Sequence, residues 1–178
     1  MHYKRYYIEN SYVFITIVTY YRNPFLLNHI DLLKQAFKYA KSKYEFSIIA
    51  IATLKDHIHL IIYPKNITDY PNIIKTFKAY FSKNIDVSQI PNYIITESKL
   101  RKNEKGIWQS RYWAHVIADK KDLYKHLDYI HYNSMKHYNI IPKDWQYSSF
   151  KSYVKKGLYD INWYNANDKY EIADLNLE

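Results

Sequence analysis

Residues 45–64 read EFSIIAIATLKDHIHLIIYP. The runs 45–53 and 57–63 are rich in isoleucine and carry the β-branched pattern of strands. Only the polar turn 54–56 separates them, and a link that short joins an antiparallel hairpin. Upstream, residues 12–19 (YVFITIVT) are β-branched and aromatic, nearly apolar on both faces, as a central strand is. Asn23-Pro24 then starts a helix, with Leu26, Leu27, Ile30, Leu33 and Phe37 at helical spacing. Downstream of the hairpin, Asp69 and Pro71 open a second helix with the stripe Ile74, Phe77 and Phe81. Residues 83–106 are weakly patterned and polar, which predicts a long loop. Residues 107–117 resume as a strand. Asp119 and Asp122 supply the cap and first turn of a third helix, with inner stripe Leu123, Leu127, Ile130 and Ser134.

The order β-α-β-β-α-β followed by a helix predicts an α+β fold. Its plan is the ferredoxin-like split βαβ antiparallel sheet with helices on one face, plus one further helix. Residues 1–150 are expected to form the domain. Residues 151–178 are expected to be a C-terminal appendage, since aromatic anchors (Trp145, Tyr147, Phe150, Trp163) mark the region after Pro142 but little periodicity does.

The 178 residues include no cysteine, which removes disulfides, zinc–cysteine sites and thiol catalysis together. Gly106 and Gly157 are the only glycines, too few for a phosphate-cradling nucleotide loop. No nucleotide cofactor is expected. Neither a signal stretch nor a run long enough for a membrane span is apparent, so a cytoplasmic protein without a membrane partner is expected. The 26 basic residues outnumber the 17 acidic ones, for a net charge of +9. From residue 151 onward acids outnumber bases, so the surplus belongs to the first 150 residues. A basic body of this kind suits a polyanion, although a lysine-rich surface serves solubility as well. Lys75, Lys78, Lys83, Lys102 and Arg111 are the candidate DNA contacts, chosen by local density.

Two constellations bear on chemistry. On a strand, His57 and His59 share one face while Ile58 takes the other. Two imidazoles one pleat apart can hold a divalent cation, and the same spacing suits two solvent-facing histidines. On the third helix, Tyr129 and Asn133 lie four residues apart on one face. Asn133 can offer a carbonyl oxygen as a third ligand, and Tyr129 a hydroxyl nucleophile. The stripe His126, Tyr129, Asn133, Lys136 borders the apolar one and is expected to face the edge of the sheet. His115 and His126 can orient ligands or phosphate but are expected to be structural, and His131 falls on the opposite side of the helix from Asn133.

The segment LKDHIHLIIYP resembles the HUH motif of the tyrosine transposases. The segment IWQSRYWAHVIADKKDLYKHLDYIHYNSMKH, followed by DWQYSSF, resembles the signature of the REP-associated tyrosine transposases. Order and spacing agree over most of residues 5–150, with 84–104 matching poorly and a weaker likeness running on to Trp163. The resemblance implies metal binding by His57, His59 and Asn133, with Mg²⁺ or Mn²⁺ as the ion, and nucleophilic attack by Tyr129. It further implies a nickase and ligase that acts on single-stranded DNA hairpins of palindromic repeats through a 5′-phosphotyrosine. Where that family has proline and glycine, this chain has Ser134 and Tyr138. Neither supplies a reacting atom, but both bear on the end of the nucleophile helix. They leave room for a decayed or domesticated hairpin-binding protein.

Overall fold

A computed structural model of the chain describes residues 7–163. Strand β1 (Val13–Val18) leads through two 3-10 turns into helix α1 (Ile30–Lys41). The hairpin β2 (Phe46–Thr53) and β3 (His57–Pro64) follows, then helix α2 (Tyr70–Asn84), with Pro71 in its first turn where a missing N–H costs nothing. A short helix α3 (Glu97–Arg101), strand β4 (Trp113–Val116), the long helix α4 (Lys120–Tyr138) and helix α5 (Phe150–Lys155) complete the described chain.

The sheet has the order β2-β3-β1-β4 and is antiparallel throughout. That is the split βαβ arrangement expected from the element order. Alternation along the strands separates two cores. Val13, Ile15, Ile17, Ile58, Leu60 and Ile62 pack beneath α1 and α2. Phe14, Ala50, Ala52 and Ile61 face the other way and receive α4 through Leu127, Tyr129 and Ile130. The expected pair of helices thus covers one face, and the further helix closes the second. Alanines at 50 and 52 leave the room that a helix backbone needs to approach a sheet. The outer edge of β2 is paired as well, since Thr53 N–H donates to Tyr147 O and Ser149 N–H to Ile51 O, each at 2.8 Å.

Two local expectations differ. The strand expected over 107–117 is regular only at Trp113–Val116, and Trp108 joins the sheet through a single bridge to Thr19. Tyr20 N–H donates to Ile107 O and Gln109 N–H to Val18 O, so the chain skirts the end of β1 before it bends into register. Residues 83–106 hold α3 and a 3-10 turn at Val87–Gln89. Segments of five and three residues are too short to show a period in sequence. No helix among the described residues is long and apolar enough to cross a membrane.

Candidate active site

Strand β3 buries both histidines: His57 is 1% exposed and His59 is 0%, which removes the solvent-facing alternative. Ile58, between them, belongs to the opposite core, beneath α1 and α2. Each imidazole is held by its Nδ1. Asp56 Oδ1 lies 2.6 Å from His57 Nδ1, and the Thr16 hydroxyl lies 2.9 Å from His59 Nδ1, across the β1–β3 register that sets Thr16 opposite His59. With the proton on Nδ1 donated to these oxygens, each Nε2 keeps its lone pair for a ligand. The rings lie 4.8 Å apart, centroid to centroid.

Helix α4 brings the second constellation onto the same spot. The Tyr129 ring sits 5.1 Å from His59 and 6.0 Å from Phe14. The Asn133 amide donates to Tyr129 O at 2.7 Å, which turns its carbonyl oxygen away from the helix backbone. His59 Nε2 and Asn133 Oδ1 are both buried without a hydrogen-bond partner. Buried polar atoms are nearly always satisfied, so two orphans on residues that both contact Tyr129 mark a place where a further group fits. Imidazole nitrogens with an amide oxygen make a mixed donor set suited to Mn²⁺ or Mg²⁺. Burial pushes His59 well below the usual histidine range, reinforced by neighbouring cationic side chains, Lys136 and Arg22 among them. It is therefore neutral at pH 7, the form a ligand needs.

The stripe expected at the sheet's edge lies instead on its face. Tyr129 is 1% exposed and Asn133 is 0%, because α4 crosses the seat made by Phe14, Ala50 and Ala52. Ser134 lets α4 run on: its hydroxyl donates to Ile140 O at 2.8 Å, and the helix ends at Asn139, in the left-handed region at φ 54°. That extra turn sets His137 against His57, with ring centroids 4.9 Å apart. It also places the Tyr138 hydroxyl to accept from Lys55 N–H at 3.0 Å, beside Asp56.

Several members of the site have no mark in the local sequence pattern. Arg22, at φ 52° directly after Tyr21 at φ 52°, forms an ion pair with Asp56 at 3.3 Å. Two successive non-glycine residues in the left-handed region carry strain of the kind functional sites retain. Burial works to raise the Asp56 carboxyl, but His57 and then Arg22 more than offset it and hold it low. Only Asp56, next in sequence to the histidine pair, offered a local signal. Thr16, Arg22 and His137 arrive from distant segments.

A second cluster lies nearby. His115, Asp122 and His126 are the group of histidine and acidic side chains, among the described residues, whose ligand atoms fall within 4.8 Å of one another. The carboxylate is already engaged: it meets His115 Nε2 at 2.7 Å and His126 Nδ1 at 3.0 Å, and accepts the Ala118 N–H at 2.8 Å. Asp119 caps the Asp122 N–H in turn. The cluster ties β4 to the first turn of α4. His131, as expected, points away from the centre. Its Nε2 lies 2.8 Å from the Ser149 hydroxyl, and burial pushes it down to about 3.

The basic residues separate into two sets. Lys75, Lys78 and Lys83 line one groove of about 660 Å³ between α2 and residues 99–110, together with Lys99, Lys105 and Trp108. Lys102 and Arg111 lie outside that lining. The Lys78 ammonium donates to Gln109 O at 2.7 Å, and burial beside Lys99 lowers it to about 8. Lys99 and Lys105 join the groove only through the fold.

A family model described as "Transposase IS200 like" matches residues 7–133. A protein of Haemophilus influenzae, whose own assignment as a REP-associated tyrosine transposase is provisional, is 39% identical over 166 residues, covering 90% of this chain and 92% of its own. The REP-associated tyrosine transposase of Escherichia coli K12 is 30% identical over 164 residues, covering 90% and 89%. A solved REP-associated tyrosine transposase bound to a REP hairpin superposes with a TM-score of 0.78 at 28% identity, over 99% of this chain and 96% of that one.

Proposed function

This chain belongs to the IS200-like transposase family, in its REP-associated tyrosine branch, and from that premise we propose that it nicks and rejoins single-stranded DNA flanking a palindromic hairpin. Tyr129 is the nucleophile: its Oη attacks phosphorus, the bond to the 3′-oxygen breaks, and the phenol proton ends on that 3′-hydroxyl. The product is a 5′-phosphotyrosine. Attack by another 3′-hydroxyl reverses the exchange, reseals the strand and returns the proton to Tyr129. The bond count is unchanged at each step, so no nucleotide is consumed.

His57, His59 and Asn133 are the residues that would hold Mn²⁺ or Mg²⁺, which when bound supplies charge neutralisation at the phosphoryl oxygens. Asp56 and Thr16 hold the two rings in the ligand tautomer, and losses at such positions weaken metal binding even though they touch no metal. Phe14 and α4 keep bulk water from the phenol. Strand transfer by this route rests on position and electrostatics, with little proton chemistry for the protein to perform.

The observation that carries this reading is the meeting of β3 and α4: His59, whose ring lies 5.1 Å from that of Tyr129, and Asn133, whose amide donates to Tyr129 O, each keep a buried ligand atom (Nε2 and Oδ1) without a hydrogen-bond partner. The hairpin as partner rests on the related transposase solved with one bound. The lysine groove under α2 is the proposed path for the flanking strand, where phosphate contacts give affinity that falls with salt. Residues 1–150 carry the chemistry in this reading, with residues 151–178 as an appendage. Its first part docks on α4, where the Tyr159 hydroxyl meets Asp128 and the His131 ring packs on Tyr153 at 4.8 Å.

The test is incubation with a labelled hairpin bearing a single-stranded flank, with and without Mn²⁺, followed by denaturing electrophoresis. A labelled band covalently attached to the protein, present only with the metal, is the expected result. Hairpin binding with no covalent band would replace the transposase reading with that of a binding protein.

A further inference from the structure

Helix α4 carries one more polar side chain at the nucleophile. Lys136 follows Tyr129 by seven residues, two turns along the same face. Its Nζ stands 3.5 Å from Tyr129 Oη and 5.1 Å from the centre of the Tyr129 ring. The tyrosine is only 1% exposed, whereas Lys136 is exposed, so the ammonium stands at the boundary between solvent and the phenolic oxygen. Its charge also reaches His59, being one of those that disfavour protonation of that ring. Arg22 acts on His59 in the same sense. Lys136 and Arg22 thus set two cations about the ligand residues, with the buried Tyr129 hydroxyl beside Lys136.

We propose that Lys136 is a catalytic residue, whose ammonium binds a non-bridging oxygen of the scissile phosphate next to Tyr129 Oη. This rests on the strand-transfer reading above and adds a group to it. A phosphate that brings its phosphorus to Tyr129 Oη from the solvent side places its outer oxygens beside Lys136 Nζ. As the Oη–P bond forms and the P–O3′ bond breaks, charge gathers on those oxygens, and a fixed cation there stabilises it most at that moment. Lys136 keeps its own protons throughout, while the phenol proton leaves with the 3′-oxygen. The three donors of an ammonium on a flexible stem suit a single phosphate oxygen, and a planar guanidinium would serve it less well. Because the residue sits at the reacting atoms and away from the lysine groove, its loss should act on the rate of attack more than on capture of the hairpin.

The experiment uses the full chain with Mn²⁺ and a labelled hairpin carrying a single-stranded flank. Single-turnover formation of the covalent band is followed at saturating DNA for the wild type, Lys136→Met, Lys136→Arg and Lys136→Ala. Lys136→Met should slow the rate by about 100-fold or more, in the range seen when one preorganised charge donor is removed. Hairpin affinity, Mn²⁺ binding by calorimetry and the melting temperature should stay near wild type. Lys136→Arg should recover part of the rate, and added ethylammonium should recover part of the Lys136→Ala rate through the exposed position. An unchanged rate at saturating DNA overturns the proposal. So does a defect confined to hairpin affinity, or one accompanied by loss of Mn²⁺ binding, because either assigns Lys136 another role. A wild type that never forms the band overturns the strand-transfer reading and this assignment together, whereas a normal wild type with a normal Lys136→Met overturns this assignment alone.

Discussion

The two faces of the sheet are built from the same strands and do different work. Beneath α1 and α2 the inward-pointing residues of the two central strands are all aliphatic: Val13, Ile15 and Ile17 from β1, with Ile58, Leu60 and Ile62 from β3. On the other face, one residue out of step, lie Phe14, Thr16, His57 and His59, and across them α4 brings Tyr129, Asn133 and His126. The first face is apolar burial and nothing more, which favours folding at roughly 25 cal/mol per Å². The second spends burial on polar atoms, and among them His59 Nε2, Asn133 Oδ1 and His126 Nε2 have no hydrogen-bond partner. Stability is concentrated on one side of β3 and reactive groups on the other, at a spacing of one residue.

Four measurements bear on that division. Tyr129→Phe removes one oxygen from the second face and leaves its ring packed on Phe14 and His59. Covalent attachment to DNA should vanish completely, with melting temperature, Mn²⁺ binding and hairpin binding retained. Tyr132→Phe, about 60° away around the helix, should leave attachment intact. A covalent band from Tyr129→Phe would mean that the nucleophile lies elsewhere.

Ile58→Ala acts on the first face alone. The cavity it leaves beneath α1 and α2 should cost about 2–5 kcal/mol in chemical denaturation while Mn²⁺ binding survives. A variant that keeps its stability but loses the metal would show that the faces are not separable at this strand.

Asp56→Asn keeps the shape of the side chain but weakens the grip on His57 Nδ1. Mn²⁺ affinity by calorimetry should fall by about 10–100-fold, the range typical of groups that orient a metal-bound histidine. Unaltered affinity would place the metal away from His57.

The smallest expected effect is on pH dependence. His131, on the second face, is held down to about 3 by burial, and His59 and His126 are lowered for the same first reason. An unfolded histidine binds its proton near pH ~6.5. Between that value and the lowered folded ones, the unfolded chain binds more protons, so stability present above pH ~6.5 is lost as the pH falls. Hydrogen exchange should therefore speed up in α4 on acidification before it does in α1 and α2. His131→Asn should flatten the fall in melting temperature between pH ~6.5 and ~4. Equal acceleration on both faces would contradict the argument.

Much of this was legible along the chain. The hairpin 45–64, the helical stripes, the shared face of His57 and His59 and the four-residue spacing of Tyr129 and Asn133 are all local periodicities, and a period of 2 or 3.6 is written into the sequence itself. The basic surplus of the first 150 residues is equally a matter of counting. A period says which side of an element is buried, but not against what. Tertiary contact alone placed α4 on the second face, where the alanines at 50 and 52 leave space, and so turned an expected edge stripe into a buried centre. The same holds for Thr16 at His59, Arg22 at Asp56, His137 at His57, and Lys99 and Lys105 in the groove with Lys75. Each of these pairs or groups is distant in sequence or lies at the end of an element, where no repeat is long enough to report it. Their meeting is decided by how α4, the strained turn at Tyr21 and Arg22, and residues 99–110 close against the sheet.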